Sequence, residues 1–208
     1  MLNLGVLVSG GGTNLQAIFD RIESRELNNV QISIIISSNP KAYALERAEK
    51  YGVKNIIINP KEFETRELFN KKLIKALKEA EVDLVVLAGY LVVLDEEIVC
   101  AFKNKIINVH PSLIPSFCGK GYYGLKVHQA AIDKGVKVSG ATVHIVDEGT
   151  DTGPIIMQQV VEVKQDDTPM TLQKRVMEEA EWVILPKAIQ LFADNVVSIK
   201  GKKVFINS

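Results

Sequence analysis

The sequence predicts an α/β protein with a doubly wound, Rossmann-like, mostly parallel sheet carrying helices on both faces and extended by longer C-terminal strands. Two observations predict it. Short β-branched runs alternate with helix-period segments from the first residues onward. Those runs are mostly apolar rather than alternating, as expected of strands covered on both faces.

Residues 4–8 form the first apolar run and lead into Ser9-Gly10-Gly11-Gly12-Thr13-Asn14. A helix follows, with Leu15, Ile18, Phe19 and Ile22 on one face. Residues 32–36 read as a second strand and 42–51 as a helix closed by Gly52. Residues 54–58 give a third strand, 66–80 a long amphipathic helix, and 83–88 and 105–109 further buried strands. Beyond residue 109 the pattern changes. Residues 139–146 and 155–163 read as longer strands around the turn Glu148-Gly149-Thr150-Asp151-Thr152-Gly153. Residues 170–191 read as a helix interrupted or ended near Pro186, and 196–199 and 203–206 as a terminal hairpin joined by Lys200-Gly201-Lys202. With no linker or repeat, residues 1–208 read as one domain, with halves 1–109 and 110–208.

Composition narrows the function. Lys+Arg and Asp+Glu both number 25, so no basic excess points to nucleic acid. An anionic ligand must be held by a local site. Hydrophobic content of 47% argues for a packed core rather than disorder. Cys100 and Cys118 match no zinc spacing, and free thiols in a reducing compartment are expected. The N-terminus lacks a basic leader and reads as a strand rather than a signal peptide. No apolar run approaches membrane-spanning length. A cytoplasmic protein acting on small molecules, with no metal, nucleic acid or membrane partner, is the expectation.

Three constellations carry chemistry. The glycine turn between a strand and a helix can point several N–H groups at one anion, aided by the helix dipole. Its spacing is neither GxGxxG nor GK[ST]; the turn alone is equally a tight strand-to-helix connection. Asn108 and His110 lie two positions apart at a predicted strand end, so both side chains point to one side. An amide and an imidazole there can hold the oxyanion of a tetrahedral intermediate. A carboxylate would raise the imidazole pKa and orient the ring, while burial would push it down. Asp147, Glu148 and Asp151 all stand in one turn and could each supply it. There is no GxSxG elbow, so a covalent serine mechanism is not expected.

The segments Asn108-Val109-His110-Pro111-Ser112-Leu113-Ile114-Pro115 and Asp151-Thr152-Gly153-Pro154 resemble the active-site motifs of the folate-dependent formyltransferases. The glycine turn is similar to the SGxG[ST]NLQ segment of those members that act on glycinamide ribonucleotide. The similarity runs from the first strand to about Pro186. It implies transfer of the formyl group of 10-formyltetrahydrofolate, a co-substrate, to the amine of that ribonucleotide. Asn108 and His110 would hold the oxyanion, and Asp151, chosen among the three carboxylates because it directly precedes Thr152-Gly153-Pro154, would assist proton transfer.

The resemblance also implies that Gly12, Thr13 and Asn14 hold the phosphate and that Glu181 contacts the ribonucleotide; alone, Glu181 reads as an exposed helix residue. Folate contacts are implied for Arg66, Leu91, Val92, Val93, Leu94, Asn108, Asp147 and Asp151. Many relatives carry Arg where this chain has Val92, so contacts there come from main chain. His144 matches a family position and reads as supporting. A cis Ile114-Pro115 bond is implied, as is a monomer or weak homodimer. The loop Phe117-Cys118-Gly119-Lys120-Gly121-Tyr122-Tyr123-Gly124 is expected to shape the site without changing its chemistry. The alternatives are another formyl-folate enzyme and a non-catalytic nucleotide-binding module. A tRNA-directed relative should carry an extra C-terminal domain and a hydrolase an N-terminal regulatory one. A module would have no reason to hold Asn108, His110 and Asp151 together.

Overall fold

The computed structural model describes residues 1–207. A mostly parallel seven-stranded sheet has the order β3-β2-β1-β4-β5-β6-β7, and a separate antiparallel pair, β8-β9, lies near the C-terminus. The chain divides into two compact units, Met1–Ile107 and Asn108–Ser208.

In the first unit, β1 (Leu2–Val8) pairs in parallel with both β2 (Val30–Ser37) and β4 (Leu84–Leu87), and β2 pairs with β3 (Asn55–Ile57). Consecutive residues Val6, Leu7, Val8 and Ile34, Ile35, Ile36 are all buried. Neighbouring side chains in a strand point to opposite faces, so both faces of the sheet are covered. Helix α1 (Thr13–Glu23) buries Leu15, Ile18 and Phe19, while Ile22 is only half-buried. Helix α2 (Ala44–Lys50) ends at Tyr51, followed by Gly52 with positive φ, as the glycine stop predicts. Helix α3 (Arg66–Glu79) buries Phe69, Leu73, Ala76 and Leu77, an i, i+4, i+7, i+8 stripe. Its start is set by Thr65, whose hydroxyl accepts from the Leu68 N–H. Helix α4 (Glu96–Ala101) was not expected; at six residues it is too short to show a clear period.

In the second unit, which β5 (Ile106–His110) enters at Asn108, β6 (Val138–Ile145) pairs antiparallel with β7 (Ile155–Glu162). Helix α5 (Leu125–Lys134), also unexpected, ends at Gly135 in the left-handed region. Helix α6 (Pro169–Val176) opens with Pro169 and a capping box between Thr168 and Thr171. The predicted break near Pro186 needs correction. The irregularity is a π turn at Met177–Glu181, and Pro186 lies buried inside the continuous helix α7 (Trp182–Ala193). Proline removes one N–H and crowds the carbonyl four residues back, here Trp182. Upstream, an i→i+5 bond from the Trp182 N–H to the Met177 carbonyl inserts one residue into the helix. The hairpin of β8 (Val197–Lys200) and β9 (Lys203–Ile206) falls where the sequence puts it.

The loop after β7 is pinned by one ion pair. Asp167 receives both terminal nitrogens of Arg175 at 2.6 and 2.7 Å, and its side chain is 2% exposed. The Arg175 bonds hold the Asp167 carboxyl far below the ordinary carboxylate range, with burial opposing. A lowered carboxyl pKa contributes stability that is present above the unfolded value of ~3.9 and is lost as pH falls. Asp167→Asn should therefore cost about 1.5–3 kcal/mol at neutral pH, the scale of hydrogen bonds to charged groups. The difference from wild type should shrink in acid. Denaturant titrations at neutral pH and near pH ~3 check both; an equal gap at the two pH values would refute the linkage.

Candidate active site

Four side chains of the second unit converge around the end of β5. His110 is 4% exposed, and its Nδ1 lies 3.5 Å from Asp151 Oδ2. Its Nε2–H donates to the Phe117 carbonyl at 3.0 Å. Asp151 Oδ2 accepts from the Gly119 N–H at 2.8 Å, and Oδ1 lies 3.6 Å from His144 Nε2. Asn108 Nδ2 donates to His144 Nε2 at 3.1 Å, while His144 Nδ1 donates to the Ile145 carbonyl at 2.8 Å. Since an amide nitrogen only donates and a carbonyl only accepts, Nε2 of His144 serves the Asn108 amide and its Nδ1–H the Ile145 carbonyl. The imidazole thereby fixes the plane of the Asn108 amide and leaves its second N–H for another acceptor.

The rival carboxylates are resolved by geometry. Asp147 Oδ1 accepts from the Gly149 N–H at 3.1 Å and the Thr152 hydroxyl at 2.6 Å, which makes it the organiser of its own turn. Glu148 is exposed. Asp151 alone meets the histidines, carried there by a left-handed backbone with φ 59°. Gly153 is required two positions later, where a Cβ would stand 1.9 Å from the Ile145 carbonyl oxygen.

Charge in this cluster is set by burial against neighbours. For His110 burial dominates and lowers the pKa, although Asp151 and the Phe117 carbonyl raise it and His144 opposes them. The expected upward push of the carboxylate is present but loses. For Asp151 burial acts upward, yet His144, His110 and the Gly119 N–H together hold the carboxyl below its ordinary value. The resting site is therefore a neutral imidazole beside an ionised carboxylate.

The loop after β5 does more than shape the site. Phe117 gives His110 its carbonyl and Gly119 gives Asp151 its N–H, so two main-chain groups of the loop touch the imidazole and the carboxylate. The Ile114–Pro115 bond is cis, as the resemblance implies. Buried Thr142 secures the loop, donating to the Ser112 carbonyl at 2.7 Å and accepting from the Ile114 N–H at 3.1 Å. His128, on α5, escaped notice in the sequence. It is fully buried, and burial together with nearby His110 pushes its pKa down to about 4. An unrecognised α5 concealed it. Glu181 is 7% exposed within the π turn, not on the exposed face that the helical pattern alone suggests.

In the first unit, Gly12 has φ 70° and stands at the N-cap of α1, with no side chain capping the first turn. Thr13 and Asn14 open the helix, so their N–H groups belong to its first turn. Gly12 also has a packing role, because a Cβ there would lie 2.7 Å from Ala44 Cβ. Arg47 Nε donates to the Gly11 carbonyl at 2.9 Å and braces the turn. Arg66 pairs with Asp95 at 3.0 Å and also donates to the Val93 carbonyl, fixing the segment after β4. Leu91 and Val93 are 65% and 63% exposed there, Val92 is half-buried, and Leu94 belongs to the core at 5%. Two exposed apolar side chains two positions apart on a braced segment are suited to an apolar ligand face. Among the described residues no helix is long and apolar enough to cross a membrane.

A family model described as formyl transferase matches residues 2–189. The chain is 37% identical over 183 residues to phosphoribosylglycinamide formyltransferase of Bacillus subtilis, covering 88% of this chain and 91% of that protein. It is 37% identical over 197 residues to the trifunctional purine biosynthetic protein adenosine-3 of Drosophila melanogaster, covering 94% of this chain but only 14% of the relative's length. Among solved structures, glycinamide ribonucleotide transformylase 1 from Symbiobacterium toebii superimposes with a TM-score of 0.93 at 41% identity, covering 100% of this chain and 95% of that one.

Proposed function

The chain belongs to the formyl transferase family, and from that premise we propose that it transfers the formyl group of 10-formyltetrahydrofolate to the amine of glycinamide ribonucleotide. The products are formylglycinamide ribonucleotide and tetrahydrofolate, a step of purine biosynthesis in the cytoplasm. The observation that carries this reading is the Asn108–His144–Asp151–His110 cluster, a neutral donor pair and an ionised carboxylate held by fixed partners.

In this reaction the amine nitrogen attacks the formyl carbon and the carbonyl oxygen becomes an oxyanion. The free N–H of Asn108 and the Nε2–H of His110 supply the donors, the formyl oxygen taking over the place of the Phe117 carbonyl. The attacking amine's proton passes, through His110 or a water ordered by Asp151, to the leaving folate nitrogen as the carbon–nitrogen bond breaks and the oxyanion collapses back to a carbonyl. No covalent enzyme intermediate is needed, because the substrate brings its own nucleophile. The first-turn N–H groups at Gly12, Thr13 and Asn14 take the phosphate, and Glu181 a polar group of the ribonucleotide. Leu91, Val92 and Val93, with main chain at Leu94, Arg66 and the Asp147 turn, bind the folate.

The direct test incubates the purified protein with 10-formyltetrahydrofolate and follows deformylation with and without glycinamide ribonucleotide. Turnover that depends on the ribonucleotide is expected; deformylation by water alone would instead favour the hydrolase reading. Binding can be dissected at the glycine turn, where a Cβ on Gly11 meets nothing within 4 Å. Gly11→Val should fold normally and raise KM for the ribonucleotide well above any change in KM for the folate. Equal changes in both would count against the phosphate assignment.

A further inference from the structure

Ser9 occupies an unusual position in the first unit. It is 7% exposed, it ends the run of β1 into the glycine turn, and each of its polar groups is engaged. Its hydroxyl oxygen accepts from the Leu91 N–H at 2.9 Å and shares a 2.7 Å hydrogen bond with the Ser38 hydroxyl. Its N–H donates to the Gly89 carbonyl at 3.1 Å, and its carbonyl accepts from Asn39 Nδ2 at 3.2 Å. Residues far apart in sequence therefore meet on one side chain. On one side lies the turn that begins Gly10-Gly11-Gly12. On the other lies the segment that presents Leu91 and Val93.

We infer that Ser9 is a positioning residue that couples the two substrate-binding segments, so that ordering the glycine turn around an anion also orders the Leu91–Val93 face for the folate. This rests on the assignment of those segments made above. The Leu91 N–H has its acceptor only when Ser9 is held in place; the Ser9 main chain is fixed by Gly89 and Asn39 and runs directly into Gly10, the first residue of the turn. Loss of the hydroxyl takes from the Leu91 N–H its acceptor at 2.9 Å, and the loosening falls on the segment 89–94. Coupling of this kind is reciprocal: a ligand that stiffens either segment must favour binding at the other by the same factor. Ser38 shares the hydroxyl bond of Ser9 while its N–H donates to the Val8 carbonyl, which makes it the natural control.

The test is amide hydrogen exchange on the full chain, with glycinamide ribonucleotide as the only added ligand, for wild type, Ser9→Ala, Ser9→Thr and Ser38→Ala. In wild type the ribonucleotide should slow exchange at 10–14 and, by roughly tenfold, at 89–94, the scale of one net hydrogen bond. Ser9→Ala should keep protection at 10–14 and lose it at 89–94. Ser9→Thr, which retains the hydroxyl, should restore it, and Ser38→Ala should remain close to wild type. In steady-state assays Ser9→Ala should raise KM for both substrates by roughly tenfold while kcat changes little. A wild-type protein protected at 10–14 but not at 89–94 overturns the coupling and leaves the phosphate assignment standing. Protection at neither segment overturns the phosphate assignment and the coupling with it. If Ser9→Ala fails to fold, the wild-type and Ser9→Thr arms still decide.

Discussion

Asp151→Asn should leave the fold and substrate KM values nearly intact while lowering kcat by ~10²–10⁴-fold, the usual contribution of a positioned acid–base group. The substituted amide keeps an oxygen to accept the Gly119 N–H bond that wild-type Asp151 makes at 2.8 Å, so the loop retains its anchor. What disappears is the negative charge 3.5 Å from His110. In the wild type that charge raises the His110 pKa against the larger effect of burial. Without it no carboxylate strengthens the His110 imidazole as the oxyanion forms, and no ionised group orders the proton-carrying water. The loss should therefore persist across the whole neutral range rather than appear on one limb.

Stability should respond with a definite sign. The folded-state carboxyl of Asp151 lies below its ordinary value, so its contribution is present above ~3.9 and lost on acidification. His110, also lowered, contributes fully above ~6.5 and loses that contribution as pH falls, because the unfolded imidazole protonates first. Asp151→Asn removes the first dependence and, by lowering the His110 pKa further, deepens the second. A kcat within a few-fold of wild type from mildly acidic to mildly basic pH would refute the assigned role.

What could be read in the sequence was whatever repeats or sits at fixed spacing. The strands of the doubly wound sheet announce themselves as short, mostly apolar runs rich in Val and Ile. Asn108 and His110 could be paired because residues two apart on a strand share a side. Asp151 could not be separated from Asp147 and Glu148 by spacing alone; only its motif match singled it out. The deciding difference is a left-handed φ that places it against the histidines. Main-chain partners were invisible. Nothing in the letters Phe117 or Gly119 reveals that one offers a carbonyl to His110 and the other an N–H to Asp151. His128 and the burial of Glu181 were missed for a related reason: α5 is short and moderately amphipathic, and a π turn breaks the 3.6-residue period on which burial is read. The balance at His110 was legible as two opposing causes, but its sign needed the depth of burial.

Asn108→Ala should lower kcat by roughly 10²–10³-fold, the effect of removing one oxyanion donor in comparable acyl-transfer sites. The substitution has a second consequence, since it takes from His144 Nε2 the donor at 3.1 Å and leaves that nitrogen facing Asp151 at 3.6 Å. His144 then has reason to exchange its Nδ1 proton for one on Nε2, which would bond to the carboxylate and give up the Ile145 carbonyl. Asp151 would be drawn from His110 toward His144, so part of the loss should appear as a weaker pH response of His110 rather than as a missing donor.

The two contributions separate in a double-mutant cycle with His144→Gln, a neutral side chain that offers an acceptor but cannot titrate. If His144 acts only by aiming the Asn108 amide, Asn108→Ala and the double variant should have the same kcat. Additive losses would instead show that His144 reaches the transition state independently, through Asp151. An Asn108→Ala enzyme with kcat close to wild type would remove the amide from the oxyanion site altogether and leave His110 as its sole donor.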